Sequence, residues 1–125
     1  MFDKQLASEV LRQILASVET TLDRFASVKT VGDFADTPAG MEKMDSICMQ
    51  LIVLGEGLKN FDKVTNSSVL CRYPQIEWKK VKGLRDIITH HYTDINAEAI
   101  FDACKTKLPA LKATLEKILT DPSLK

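Results

Sequence analysis

Apolar residues recur along this chain at three- and four-residue intervals almost from end to end, the period of helices with one buried face. Leu6, Val10, Ile14, Val18, Leu22 and Phe25 fall on one stripe and predict a long first helix. The segment Val31 to Pro38 reads as a connector. Thr37 is suited to cap the next helix and Pro38 to occupy its first turn, where a missing N–H costs nothing. Met41, Met44, Cys48, Leu51, Gly55 and Leu58 then alternate in steps of three and four, the spacing of a seam packed against a near-parallel neighbour. Gly55 and Gly57 each cost roughly 1 kcal/mol against alanine inside a helix, so they predict another backbone close by, in the same chain or in a second subunit. The methionines Met41, Met44 and Met49 read as core filler.

The pattern weakens after Asn60. A short helix is expected over Thr65 to Cys71, and Pro74 disfavours helical geometry at Tyr73. A new helix starts near Gln75 or Ile76, with Trp78, Val81, Leu84 and Ile88 as its apolar face, and fades between His91 and Asp94. Asn96 caps a last helix whose stripe is Ile100, Cys104, Leu108, Leu111, Leu115 and Ile118, with Pro109 set to kink or interrupt it. No strand-like alternation or internal repeat competes with this reading. The expected fold is all-α: an up-down bundle of four long helices plus one short one, forming a single domain over residues 1–125.

Composition narrows the class without naming a function. At 125 residues and 45% apolar content, the chain is long enough to bury its own core. Its longest uninterrupted aliphatic run is Leu51 to Leu54, so neither a leader peptide nor a membrane span is expected. Cys48, Cys71 and Cys104 are odd in number and widely spaced, which suits free thiols in a reducing cytoplasm. Seventeen basic residues balance seventeen acidic ones, which leaves no global field for coating nucleic acid. Between Arg72 and Tyr92, however, Arg72, Lys79, Lys80, Lys82 and Arg85 outnumber Glu77 and Asp86. A basic patch is expected there, with Lys79, Lys80 and Lys82 as candidate RNA contacts.

The same stretch holds the candidate chemistry. Arg85 offers a fixed cationic fork for phosphate, His90 can move a proton near neutral pH, and Tyr92 presents a modifiable hydroxyl. Asp86 and His90 are an i,i+4 pair, so the carboxylate is expected to fix the imidazole tautomer. At about 100° per residue, His90 lies roughly 140° around the helix from Arg85. Three arrangements bring them together: an unwound last turn near Thr89, an arginine that reaches around, or a site assembled from two copies of this helix. Dimerisation is the simplest. An arginine and a histidine five apart on a helix are, taken alone, most often surface decoration. His90 and His91 point about 100° apart with no carboxylate or cysteine to complete a set, so no metal site is expected. Trp78 and Tyr73 read as structural rather than as a base-stacking platform, and Glu56 as a partly buried acid paired to a base or lining a dimer cleft.

Arg85-Asp-Ile-Ile-Thr-His90-His-Tyr92 resembles the Arg-x4-His-x-Tyr signature of the HEPN superfamily, in particular its HepT-like branch. The segments Leu51-Ile-Val-Leu-Gly-Glu-Gly-Leu-Lys59, Tyr73-Pro-Gln-Ile-Glu-Trp78 and Leu108-Pro-Ala-Leu111 extend that resemblance over nearly the whole chain. It implies a helical homodimer acting as an endoribonuclease toxin without metal or other cofactor, paired with a nucleotidyltransferase antitoxin. His90 would be the acid/base group and Arg85 the charge stabiliser, with Asp86 and His91 in support. Tyr92 would be the residue that the antitoxin adenylylates. Asp86 departs from the asparagine that often follows the arginine, and it adds a negative charge beside the phosphate site. Two other functions fit the same residues: a non-catalytic nucleotide- or substrate-binding subunit of a two-component nucleotidyltransferase, and a plain helical scaffold.

Overall fold

The computed structural model describes residues 2–90 and 96–125, and these are helical with no strand among them. Helix α1 (Lys4–Phe25) starts where the Asp3 carboxylate accepts a hydrogen bond from the Leu6 N–H at 3.0 Å. Helix α3 (Pro38–Val64) starts as expected, with Thr37 Oγ1 accepting from the Gly40 N–H at 3.0 Å and Pro38 in the first turn. Between them, the connector contains a single helical turn, α2 (Gly32–Ala35), which turns Phe34 fully inward. There its ring meets Phe25 and Phe101, with centroids 6.1 and 6.5 Å away.

Helix α1 packs along α3 and along α7 (Leu108–Leu119), and the three make the core of the bundle. Leu11, Val18, Leu54, Leu58, Leu115 and Ile118 are fully shielded from solvent. The stripes extend too far at their ends: Leu6 and Met41 are about half exposed at 44% and 50%, because each lies in a first helical turn beyond the reach of its neighbours. Of the three methionines, only Met44 packs against the core, and Met49 faces outward.

Helix α6 (Ala97–Asp102) begins at Asn96, whose Oδ1 accepts from the N–H groups of Glu98 and Ala99. As expected, the regular α-helix is interrupted just before Pro109. A π turn over Ala103–Lys107 precedes it, closed by the Leu108 N–H on the Ala103 carbonyl, and α7 continues directly. All six expected apolar positions, Ile100 through Ile118, are buried.

Two expectations for the middle of the chain fail. No helix forms over Thr65 to Cys71. Asn66 and Ser67 take left-handed backbone angles, φ 56° and 58°, which end α3 abruptly, and only a 3-10 turn at Leu70–Arg72 follows. Nor is the next helix continuous. It divides at Gly83 into α4 (Trp78–Lys82) and α5 (Leu84–His90): the Gly83 N–H still bonds to the Lys79 and Lys80 carbonyls, closing the first helix, but its own φ and ψ of −87° and 1° leave the helical range. This segment is pinned at a few points. Trp78 and Ile88 are buried, and Trp78 Nε1–H donates to the Tyr73 carbonyl at 2.8 Å, which confirms a structural tryptophan. Tyr73 in turn donates its hydroxyl to the Asp121 carboxylate at 2.6 Å, next to Arg72 and Ser123.

The glycines do mark close approaches, both within one chain. A Cβ at Gly55 would come within 2.8 Å of the Val81 carbonyl in α4, and one at Gly57 within 2.7 Å of the Ile14 side chain in α1. Each close approach is thus made by the chain's own helices, so the glycines themselves give no reason to invoke a second subunit. No helix among the described residues is long and apolar enough to cross a membrane.

Candidate active site

The Gly55 crossing sets α5 against α3 and so fixes the surroundings of the motif. Ile88 anchors α5 in the core, while Arg85, Asp86 and His90 on its remaining faces are exposed. Helical bonding persists to the end of the described part of α5. Thr89 Oγ1 donates to the Arg85 carbonyl at 2.7 Å, and the chain is helical through His90. An unwound turn near Thr89 is thus not what unites arginine and histidine, and no hydrogen bond joins their side chains among the described residues.

Arg85 reaches away from His90, towards α3. Its Nη1 donates to Glu56 Oε1 at 3.2 Å, and both side chains remain partly open to water. On the other carboxylate oxygen, Glu56 Oε2 lies 2.9 Å from Lys59 Nζ, an ion pair bent away from hydrogen-bond geometry. Lys59 first and Arg85 second hold the Glu56 carboxyl below the usual carboxylate range. Glu56 is therefore ionised at neutral pH and holds the guanidinium at one corner, and most of the guanidinium's donors have no partner among the described residues.

His90 is positioned differently from the sequence expectation. Its Nδ1 lies 2.8 Å from the backbone carbonyl of Asp86, not from the Asp86 carboxylate. A helical side chain leans back over the preceding turn, where the carbonyl four residues earlier is the nearest acceptor. A carbonyl can only accept, so in the neutral imidazole the proton resides on Nδ1 and Nε2 keeps its lone pair. The tautomer is fixed by the helix itself. His91 and Tyr92, the remaining expected site residues, lie outside the described residues, as does the expected fading of the helix between His91 and Asp94.

The basic patch is also rearranged. Lys79 and Lys82 line an open depression of about 440 Å³ together with Lys59 and Lys63 of α3. Lys80 is not among its lining residues and pairs with Glu77 at 3.0 Å on the exposed surface. Sequence reasoning missed Lys59 and Lys63. Their only signal is the spacing Glu56, Lys59, Lys63 on one helical stripe, and nothing in that spacing says that α4 lies opposite.

Other reactive groups are quiet. Burial pushes the Cys48 thiol up to about 11, with Asp45 adding to the effect, and burial pushes Cys104 up to about 12, with Cys48 adding to it. Neither is a thiolate nucleophile at neutral pH. Among the described residues no three His, Cys, Asp or Glu side chains converge.

Comparison with known proteins decides the family. The family model described as ribonuclease HepT-like matches residues 18–118. The chain belongs to the ribonuclease HepT-like family. It is similar, at 31% identity over 111 residues, to the Methanocaldococcus jannaschii protein named "Putative RNase MJ0127", covering 89% of this chain and 85% of that protein. It is 25% identical over 109 residues to "Putative RNase TTE0752" of Caldanaerobacter subterraneus, covering 87% and 90% of the two chains. A third relative, "Probable ribonuclease HepT" of Thermococcus cleftensis, is 24% identical over 85 residues, 68% of this chain and 74% of that one. No solved structure matches. HepT-like membership supports a ribonuclease of the HEPN type, on a helical bundle that presents Arg85 and His90 from one short helix.

Proposed function

We propose that this HepT-like protein is a metal-independent endoribonuclease in which His90 and Arg85 act on the phosphodiester. The observation that carries the reading is the bond from His90 Nδ1 to the Asp86 carbonyl, which leaves the Nε2 lone pair, without a partner among the described residues, as a proton acceptor on an exposed side chain. Nε2 removes the proton from a ribose 2′-hydroxyl, and the O2′ atom attacks the adjacent phosphorus. The bond from phosphorus to O5′ breaks, the departing O5′ takes up a proton, and a cyclic phosphate and a 5′-hydroxyl result. Negative charge grows on the non-bridging oxygens during this step, and the donors of Arg85 left unpaired by Glu56 suit its stabilisation.

Arg85 and His90 project from different faces of one regular helix, which supports a homodimer in which two copies of α5 complete the site. Met49, Val53 and Ile87 stand exposed on the two elements that carry Glu56 and Arg85, as apolar groups at a subunit contact do. We read the protein as the toxin of a toxin–antitoxin pair in the cytoplasm. Its nucleotidyltransferase partner adenylylates Tyr92, adding bulk and a phosphate charge beside the arginine that RNA requires.

Purified protein in chelator should cleave RNA, and His90→Ala should lower the rate about 10²- to 10⁴-fold with its melting curve unchanged, since the side chain is exposed. Cleavage by His90→Ala equal to the parent sinks the assignment. A parent that binds nucleotide without cleaving RNA points instead to the non-catalytic subunit. Tyr92→Phe should keep cleavage activity yet gain no adenylyl mass when co-expressed with the partner.

A further inference from the structure

We infer that the depression between α3 and α4 is a second contact site for RNA, holding backbone phosphates that flank the one being cleaved. The inference rests on the ribonuclease reading and extends it to the path of the strand.

Two lines of cations face each other. On α3, Glu56, Lys59 and Lys63 lie at i, i+3 and i+7, on one stripe spanning about 10 Å of helix. The opposing segment runs the other way: Arg85 meets Glu56, Lys82 meets Asp62 at 2.8 Å, and Lys79 lines the depression together with Lys63. The depression adjoins the motif arginine through Lys59, which lines it and pairs with the same Glu56 carboxylate that holds Arg85. Four ammonium groups line it against the single carboxylate of Asp62, and Gly83 contributes no side chain to fill it. Lys82 is engaged by Asp62 and Lys59 by Glu56 at the edge of the depression, which leaves Lys63 and Lys79 as the two cations paired with no carboxylate among the described residues.

The chemistry of the lining selects the ligand. Lysines are strongly hydrated point charges on flexible stems, without the rigid fork that clamps one phosphate in one pose. The depression is open to solvent, and no aromatic ring on which a base would stack lines it among the described residues. Such a surface does not enclose a small anion. It suits an extended polyanion, bound through phosphates with release of counterions and without reading sequence.

The test uses the full-length protein with the His90→Ala change, so that RNA survives and binding is read apart from cleavage. Fluorescence anisotropy with a labelled twelve-nucleotide oligouridine is measured over a range of salt for this parent, for the added pair Lys63→Glu and Lys79→Glu, for the milder pair Lys63→Gln and Lys79→Gln, and for Lys117→Glu on α7. Both pairs should weaken binding, the charge reversal at least tenfold. Loss of two phosphate contacts should flatten the slope of log affinity against log salt by about 1.4. Lys117→Glu should leave both quantities unchanged. The proposal is overturned if the depression variants bind with the affinity and slope of Lys117→Glu, a result that leaves the ribonuclease reading intact. It is equally overturned if they bind RNA normally but lose the nucleotidyltransferase partner, which would make the depression a protein docking surface. A parent that neither binds nor, with His90 restored, cleaves RNA instead defeats the ribonuclease reading itself.

Discussion

The α1, α3 and α7 core and the α4–α5 segment solve the same problem of burying an apolar face in opposite ways. In the core, one long stripe after another is shielded: Leu11, Leu54, Leu58, Leu115 and Ile118 see no solvent. Across α4 and α5 only Trp78 and Ile88 are buried, Val81 and Leu84 pack half-buried against the core, and polar contacts add the rest: Trp78 to the Tyr73 carbonyl, Lys82 to Asp62, Arg85 to Glu56. A segment held at separate points keeps its other faces free to carry charged and reactive groups. The core could not host Arg85 and His90 without leaving charges unpaired in an apolar interior. The division of labour is thus between a rigid body and a thinly attached strip of chemistry.

Truncating the rigid body should have the largest effect. Leu58→Ala removes a fully buried side chain and is expected to cost about 2–5 kcal/mol in urea unfolding, enough to threaten the fold of a domain this size. Equal loss from Ile87→Ala, an exposed residue of α5, would erase the distinction between the regions.

Gly55 lies where the two regions meet, and Gly55→Ala should sharpen the contrast. The new methyl group meets the Val81 carbonyl at 2.8 Å, a backbone atom that cannot rotate aside. We expect a cost of about 1–3 kcal/mol, together with loss of RNA cleavage as α4–α5 is pushed off α3. Thermal unfolding and activity on the same sample separate the two effects. Cleavage at the parent rate would show that the motif does not depend on this crossing.

Acid should release the attachment of the strip from a third side. Burial alone would raise the Asp121 carboxyl, but hydrogen bonds from Tyr73 and Ser123 and the charge of Arg72 bring it down to about 2. Its folded value therefore lies below the ordinary carboxylate value of 3.8. The stability it adds is present above that ordinary value and is lost as pH falls through it towards about 2. With Arg72 half exposed, the contribution is about 1–2 kcal/mol. Urea midpoints measured from pH 5.5 down to 2.5 should fall for the parent, and Asp121→Asn should remove that part of the slope.

Much of the rigid body was legible in the chain, because its rules are local. The stripe from Ile100 to Ile118 and the caps at Thr37 and Asn96 follow from spacing and side-chain chemistry alone. The strip was legible in its residues but not in its geometry. The break at Gly83 arises where a glycine at the end of one short helix can leave helical angles freely, and periodicity continues across it unchanged. The partner of Arg85, and Lys59 and Lys63 opposite Lys79, depend on which helix lies across the crossing. The Asp86 carbonyl that binds His90 was invisible for a different reason: backbone groups are the same at every position, so sequence draws attention to the carboxylate instead.

The π turn at Ala103–Lys107 acts as a phase adjuster. Ile100, Cys104 and Leu108 are spaced by four, which on a regular α-helix would carry Leu108 about 80° around from Ile100. A turn closed from residue i to i+5 absorbs one extra residue and returns all three to the same side, just where Pro109 has no N–H to offer the regular ladder. The last helical rod therefore consists of two registers spliced together. A single residue more or less in that splice would rotate the Ile100 end by about 100° relative to α7 and would take Phe101 away from its contact with Phe25, whose ring centroid is 5.2 Å distant.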